Sequence, residues 1–197
     1  MNKRQSKPDR AKETPETYTY EDYAALDDGL RYELADGKLE LMSPAPTPLH
    51  QAVSFQLHYT LDQSCRSEYV IISAPVDVIL SKMEVRQPDI VMVHRSRMSV
   101  ITRRGIEGPP DLVVEITSSS SRRRDKVHKT KAYAKYSVPE YWILDLESKT
   151  LEQYVLNGHV YELLDVYAAD DQIHSERIAC VSFSMNQILN NVPDLPA

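Results

Sequence analysis

An α/β fold, with a mixed central β-sheet flanked by helices, follows from three features of this 197-residue sequence. Short runs rich in Val, Ile, Tyr and Thr, bounded by Pro, Gly, Asp or Ser, recur from Tyr69 onward and read as strands. Between two of them, Ser121 to Ser137 is long enough for about four helical turns, so strand, helix and strand make a parallel crossover unit. Leu49, Val53, Leu57 and Leu61 recur every four residues and form one apolar helical face.

Residues 1–17 hold five basic and three acidic side chains around two prolines, without one large apolar residue after Met1. Such a segment cannot bury a core and reads as a disordered tail, with one folded domain over 18–197. Thr19 and Asp22 are spaced for a capping box, and Tyr20, Tyr23, Ala24 and Leu26 give a short helix ended at Asp27-Asp28-Gly29. Arg31 to Leu34 and Lys38 to Ser43 alternate in polarity around Asp36-Gly37, a dipeptide that takes up the positive φ of a hairpin turn. Pro44, Pro46 and Pro48 then break the chain, and the Leu49 helix runs to about Cys65. Strands are expected at Tyr69 to Ala74, Val76 to Leu80, Asp89 to Val93, Leu112 to Thr117, Tyr141 to Asp145 and Leu151 to Leu156. The crossover helix stops at Val138-Pro139, where proline disfavours helical geometry in the residue before it. Val160 to Val166 and the segment around Ile173 extend the sheet as hairpins, and Phe183 to Leu189 forms a terminal helix.

Composition excludes several classes of function. No apolar run reaches the roughly 18–20 residues needed to span a bilayer, so no membrane association is expected. Cys65 and Cys180 are far apart and fit no framework, and without a signal-like N-terminus the reading is a cytoplasmic protein with free thiols. A net charge of −6, about −8 without the tail, argues against a protein coated in basic surface, so nucleic acid must meet a local patch. There is no Gly-rich phosphate loop, no Gly-x-Ser-x-Gly elbow and no cysteine with a base beside it, which leaves nucleotide cofactors and covalent nucleophiles without support. Among the six histidines only His50 and His58 show any helical spacing, so a zinc enzyme is not expected.

The chemistry is concentrated in Gln87-Pro88-Asp89-Ile90-Val91-Met92-Val93 and Pro110-Asp111-Leu112-Val113-Val114-Glu115-Ile116-Thr117. Side chains alternate across a strand, which sets Asp111, Val113, Glu115 and Thr117 on one face and Leu112, Val114 and Ile116 on the other. Glu115 is thereby placed mid-strand among residues that favour burial, where a carboxylate needs a cation or a partner. Asp89 is the natural second carboxylate, and a pair of them offers hard oxygen ligands to Mg²⁺ or Mn²⁺. Spacing alone equally allows a strand-end Asp and a salt-bridged Glu.

Five motifs in order, Arg31 to Gly37, Pro88 to Val91, Asp111 to Ile116, Asp125 to Tyr133 and Val138 to Trp142, resemble the Uma-type family of restriction-endonuclease-like proteins in the PD-(D/E)XK nuclease superfamily. The resemblance covers roughly residues 18 to 190. It implies a restriction-endonuclease-like fold and a metal-dependent endonuclease acting on DNA. Asp89 and Glu115 would hold Mg²⁺ or Mn²⁺, the backbone carbonyl of Ile116 would complete the protein ligands, and Glu33 would contribute from the N-terminal hairpin. The superfamily pattern places a lysine two residues after the glutamate, where this chain has Thr117.

A cation is available on the next helix. At 100° per residue Asp125, Lys129, Ala132, Tyr133 and Tyr136 share one stripe, in which Lys129 is the odd member. It either pairs with Asp125 one turn earlier or points its ammonium at an anion. The resemblance assigns it the part of the missing strand lysine, at the water or the phosphate. Arg124, Lys131 and Lys135 line a second face that suits a DNA backbone or plain solvation. His50 is either near the active site, as a supporting group or a substrate contact, or a surface histidine in a helix's first turn. Trp142 reads as core, and twelve Tyr against two Phe suggest sheet-edge packing or a subunit interface such as a homodimer. The alternative to the enzyme is a silent nucleic-acid-binding or assembly module on the same fold.

Overall fold

In the computed structural model, residues 17–42, 45–117 and 124–195 are described. The expected tail, except its last residue, and the Ser118 to Ser121 stretch with Arg122 and Arg123 lie outside them. Helix α1 (Tyr20–Ala24) is opened by the expected capping box, in which Asp22 N–H donates to Thr19 Oγ1 and Thr19 N–H donates to Asp22 Oδ2. Strands β1 (Tyr32–Ala35) and β2 (Lys38–Leu41) form an antiparallel hairpin, with Asp36 and Gly37 at φ of 45° and 77° as a tight turn of this hand requires. Helix α2 (Pro48–Cys65) starts with Thr47 accepting from His50 N–H and proline at its first position. Val53, Leu57, Leu61 and Cys65 bury its predicted face.

Strands β3 (Tyr69–Ser73), β4 (Val78–Ser81), β5 (Glu84–Arg86) and β6 (Ile90–His94) precede a 3₁₀ turn at Arg95–Val100. Strands β7 (Ile106–Glu107) and β8 (Leu112–Thr117) follow. A π-helical segment, Arg124–Lys129, runs into α3 (Thr130–Lys135), and the chain continues through β9 (Glu140–Asp145), β10 (Thr150–Asn157) and β11 (Val160–Ala168). It closes with β12 (Gln172–His174), β13 (Ser182–Ser184) and α4 (Met185–Leu189).

The strands divide between sheets. A six-stranded sheet has the order β11-β10-β9-β8-β6-β3, in which β8 and β9 are parallel and joined by the expected helical crossover. A five-stranded sheet has the order β2-β1-β5-β4-β7. Alternation along β6, β8 and β9 sends Ile90, Met92, Leu112, Val114, Ile116, Trp142 and Leu144 to one face, where α2 and α4 cover them. Val91, Val93, Val113, Tyr141 and Ile143 point the other way and pack with Tyr133 of α3 and with Val78 and Ile106 of the second sheet. Glu115 and Thr117 belong to this second face, so they lie between the two sheets.

Four expectations need correction. The single sheet is two, because β5 and β7, too short to show alternation, pair with the hairpin and β4 rather than with β6. Ile173 does not extend the central sheet; β12 pairs with β13 in a separate ribbon, so Phe183 sits in a strand before α4. Of the long crossover helix, the described part is a π segment followed by only six α-helical residues. The cysteines are not free thiols: Cys65 at the end of α2 is disulfide-bonded to Cys180, 115 positions later, because the terminal segment packs back along α2. Free thiols therefore give no argument for a cytoplasmic location. Among the described residues no helix is long and apolar enough to cross a membrane.

Candidate active site

Five backbone segments meet where the second sheet faces the crossover. Glu33 comes from β1, Arg86 from β5, Asp89 from the approach to β6, Glu115 from β8, and Lys129 from the junction of the π segment with α3. Antiparallel register pairs Ile90 with Val114, so continuing it by one residue sets Asp89 opposite Glu115. Asp89 Oδ2 accepts the Ile116 N–H at 2.7 Å, which ties the start of β6 to the end of β8.

Lys129 is 3% exposed, with its Nζ 2.8 Å from Glu115 Oε1 and 3.5 Å from Glu33 Oε1. A lysine this deep requires anionic partners, because its desolvation is otherwise uncompensated. The two positions four residues apart on the helix, Lys129 and Tyr133, both reach the same oxygen: Tyr133 Oη donates to Glu115 Oε1 at 2.8 Å. Burial, reinforced by the Glu115 and Glu33 charges, holds the Tyr133 phenol well above its ordinary pKa, so it remains a donor.

Glu33 is fully buried and held from the other side. Its Oε1 accepts the Gln87 N–H at 2.9 Å and its Oε2 lies 3.3 Å from Arg86 Nη1. Arg86 also bonds Glu84 Oε1 through Nη2 at 2.7 Å and approaches Glu40 Oε2 at 3.5 Å. Burial opposes the guanidinium charge, while the Glu33 and Glu84 carboxylates more than offset that and leave its pKa above the ordinary value. A continuous ionic chain thus runs Glu40, Arg86, Glu33, Lys129, Glu115. Its buried members, with Glu84 beside them, are three acids, Glu33, Glu84 and Glu115, against two bases, Arg86 and Lys129.

His50 lies on the opposite side of the β8 end. Its Nε2 is 3.0 Å from the Ile116 carbonyl oxygen and 3.3 Å from Asp89 Oδ2, with side-chain exposures of 14% for His50 and 20% for Asp89. A surface histidine in the first turn is thereby excluded. Thr117 is fully buried, and its Oγ1 has no hydrogen-bond partner among the described residues.

A divalent ion, which the resemblance implies, finds suitable donors here. Asp89 Oδ2 and the Ile116 carbonyl are hard oxygens at the end of β8, and the buried acids nearby outnumber the buried bases. Glu115 Oε1 is turned toward Lys129 and Tyr133, and among the described residues no group of three or more His, Cys, Asp or Glu side chains converges as a ready metal cage.

Of the sequence-derived candidates, Glu33, Glu115 and Lys129 are in direct ionic contact, while Asp89, Ile116 and His50 form an adjoining cluster. Lys131 is exposed, Lys135 Nζ is 2.6 Å from Asp36 Oδ1, and the Arg124 side chain lies outside the described residues. Sequence reading missed Arg86 as a member of the site. Its signal was the alternation Glu84-Val85-Arg86, which puts two opposite charges on one face of a short strand beside Pro88-Asp89.

This fold, with ionic side chains gathered between two sheets at the end of a parallel crossover, is that of nuclease-like α/β proteins. It is similar to the crystal structure described as that of a putative nuclease belonging to DUF820 from Anabaena variabilis, with a TM-score of 0.72 and 16% identity over 88% of this chain and 98% of the other. Residues 19–186 match the model of the Uma2 family, described as "Putative restriction endonuclease", and the chain belongs to that family. No curated protein matches it.

Proposed function

We propose that the protein is an endonuclease of PD-(D/E)XK type that hydrolyses DNA phosphodiester bonds with Mg²⁺ or Mn²⁺. The observation that carries this reading is Lys129, buried between Glu33 and Glu115 beside the Asp89–Ile116 contact. In this reading its ammonium serves, from a helix, in place of the strand lysine of the superfamily pattern, where this chain has Thr117.

Asp89, Glu115 and the Ile116 carbonyl hold the ion, which when bound polarises the phosphate and lowers the pKa of water. Lys129 offers an N–H donor to the attacking water or to the phosphate oxygens as charge develops there. Tyr133 fixes the Glu115 carboxylate from the same helix, and Arg86 with the Gln87 N–H fixes Glu33 from the second sheet. The site is thereby organised by groups that need not move during reaction. Thr117, without a charge, adds packing beside Glu115. Arg124, Lys131 and Lys135 meet the DNA backbone, with Lys135 exchanging Asp36 for phosphate.

The test is cleavage of supercoiled, linear and single-stranded DNA with and without Mg²⁺ or Mn²⁺. Cleavage should need the ion and fall below detection in Glu115→Ala. Metal-independent or undiminished cleavage in that variant would remove the reading. Salt titration separates binding from turnover: replacing Arg124, Lys131 and Lys135 should flatten the log-affinity against log-salt slope by about 2–3, roughly 0.9 per lost phosphate contact. DNA binding with that slope but no cleavage under either metal would instead mark a silent binding module.

A further inference from the structure

We infer that His50 is a direct nitrogen ligand of the divalent ion, which makes this a mixed nitrogen–oxygen site that prefers first-row transition ions to Mg²⁺. The inference rests on the metal-dependent reading above and specifies the ion for the same site.

The distances carry it. His50 Nε2 stands 3.0 Å from the Ile116 carbonyl oxygen and 3.3 Å from Asp89 Oδ2. Neighbouring donors in an octahedron with bonds of about 2.1–2.2 Å are separated by about 3.0 Å, so these spacings are those of donors sharing one ion. The hydrogen bond from Nε2–H to the Ile116 carbonyl thus already holds the nitrogen at ligand spacing from that oxygen and close to it from Asp89 Oδ2. The imidazole has to present the Nε2 lone pair rather than a proton, so the proton resides on Nδ1 in the loaded form.

The imidazole is also firmly placed. Its own backbone N–H caps onto Thr47 Oγ1, Pro48 fixes the entry of α2, and Val53, Leu57 and Leu61 lock that helix against the β6–β8 face. A nitrogen delivered by so rigid an element costs little ordering on binding. Its chemical consequence is selectivity. Mg²⁺ retains water and favours oxygen, whereas affinity at a nitrogen-containing site rises from Mn²⁺ through Co²⁺ to Ni²⁺.

The decisive measurement is pulsed electron paramagnetic resonance of the full chain loaded with Mn²⁺. The parent should show ¹⁴N coupling that changes on ¹⁵N-histidine labelling and disappears in His50→Gln, a variant that keeps an amide donor for the Ile116 carbonyl. Because the labelling experiment uses the parent, it stands even if His50→Gln folds poorly. In binding titrations His50→Gln should lose about tenfold or more in Mn²⁺ and Co²⁺ affinity while Mg²⁺ affinity changes less than about threefold. Mn²⁺ that binds, is lost in Asp89→Asn, and shows oxygen-only spectra would overturn the ligand assignment and leave the nuclease reading standing. Failure of both Mn²⁺ and Mg²⁺ to bind would overturn both.

Discussion

Lys129→Met is expected to lower the unfolding free energy by about 3–5 kcal/mol and to cut DNA cleavage by about 10²–10³-fold. The ammonium is almost fully buried between two carboxylates, so its removal takes a cation from Glu115, which keeps the Tyr133 hydroxyl, and one of two cations from Glu33, which keeps Arg86. Methionine keeps most of the stem, which confines the change to the charge. Chemical denaturation reads the first effect and single-turnover cleavage the second. Adding Glu115→Gln should recover part of the lost stability, because one of the two charges that lost a cation is then gone; the double-mutant cycle measures that coupling. Loss of cleavage without loss of stability would place Lys129 at the surface, and loss of stability with full cleavage would make it structural only.

Arg86→Leu should be as severe, about 3–5 kcal/mol, although Arg86 has no proposed contact with substrate. Its guanidinium spans Glu84, Glu33 and Glu40 at once, and no other cation reaches Glu84 among the described contacts. Arg86→Lys should recover only part of the loss, since a point ammonium cannot fork between three carboxylates as a planar guanidinium does. If Glu33 positions Lys129, kcat should fall in the Arg86 variants while DNA affinity stays near the parent's. Equal stability of Arg86→Leu and the parent in urea would show that the ionic chain is not buried in solution. Lys135, exposed, with its ammonium on Asp36 and over the Tyr136 ring, makes the contrast: its replacement should leave stability nearly unchanged.

These effects depend on how far the site reaches in sequence. Glu33, Arg86, Glu115 and Lys129 span 97 positions, yet each was placed by a local pattern or resemblance except Arg86. Glu115 stood out because alternation set a carboxylate among apolar strand neighbours. Lys129 stood out because the helical period set an amine among tyrosine and alanine. Asp89 followed from Pro-Asp before an apolar strand. Arg86 gave no such contrast: a charged residue on a three-residue strand looks like surface until a second sheet covers it.

The sequence by itself determined what neighbouring residues can settle. The capping box at Thr19, the Asp36-Gly37 hairpin, the buried stripe of α2 and the apolar alternation of β6, β8 and β9 are written in turn chemistry and periodicity, because backbone sterics and solvent act within a few residues. Beyond the hairpin and the parallel crossover, tertiary structure alone decided which strands pair, and so divided them among a six-stranded sheet, a five-stranded sheet and a two-stranded ribbon. It joined Cys65 to Cys180, set Arg86 under the hairpin and brought His50 to the Ile116 carbonyl. Each of these is a meeting of segments distant in the chain, fixed by where apolar faces can be buried together and where a buried charge can find its counterion, and no local pattern encodes that choice.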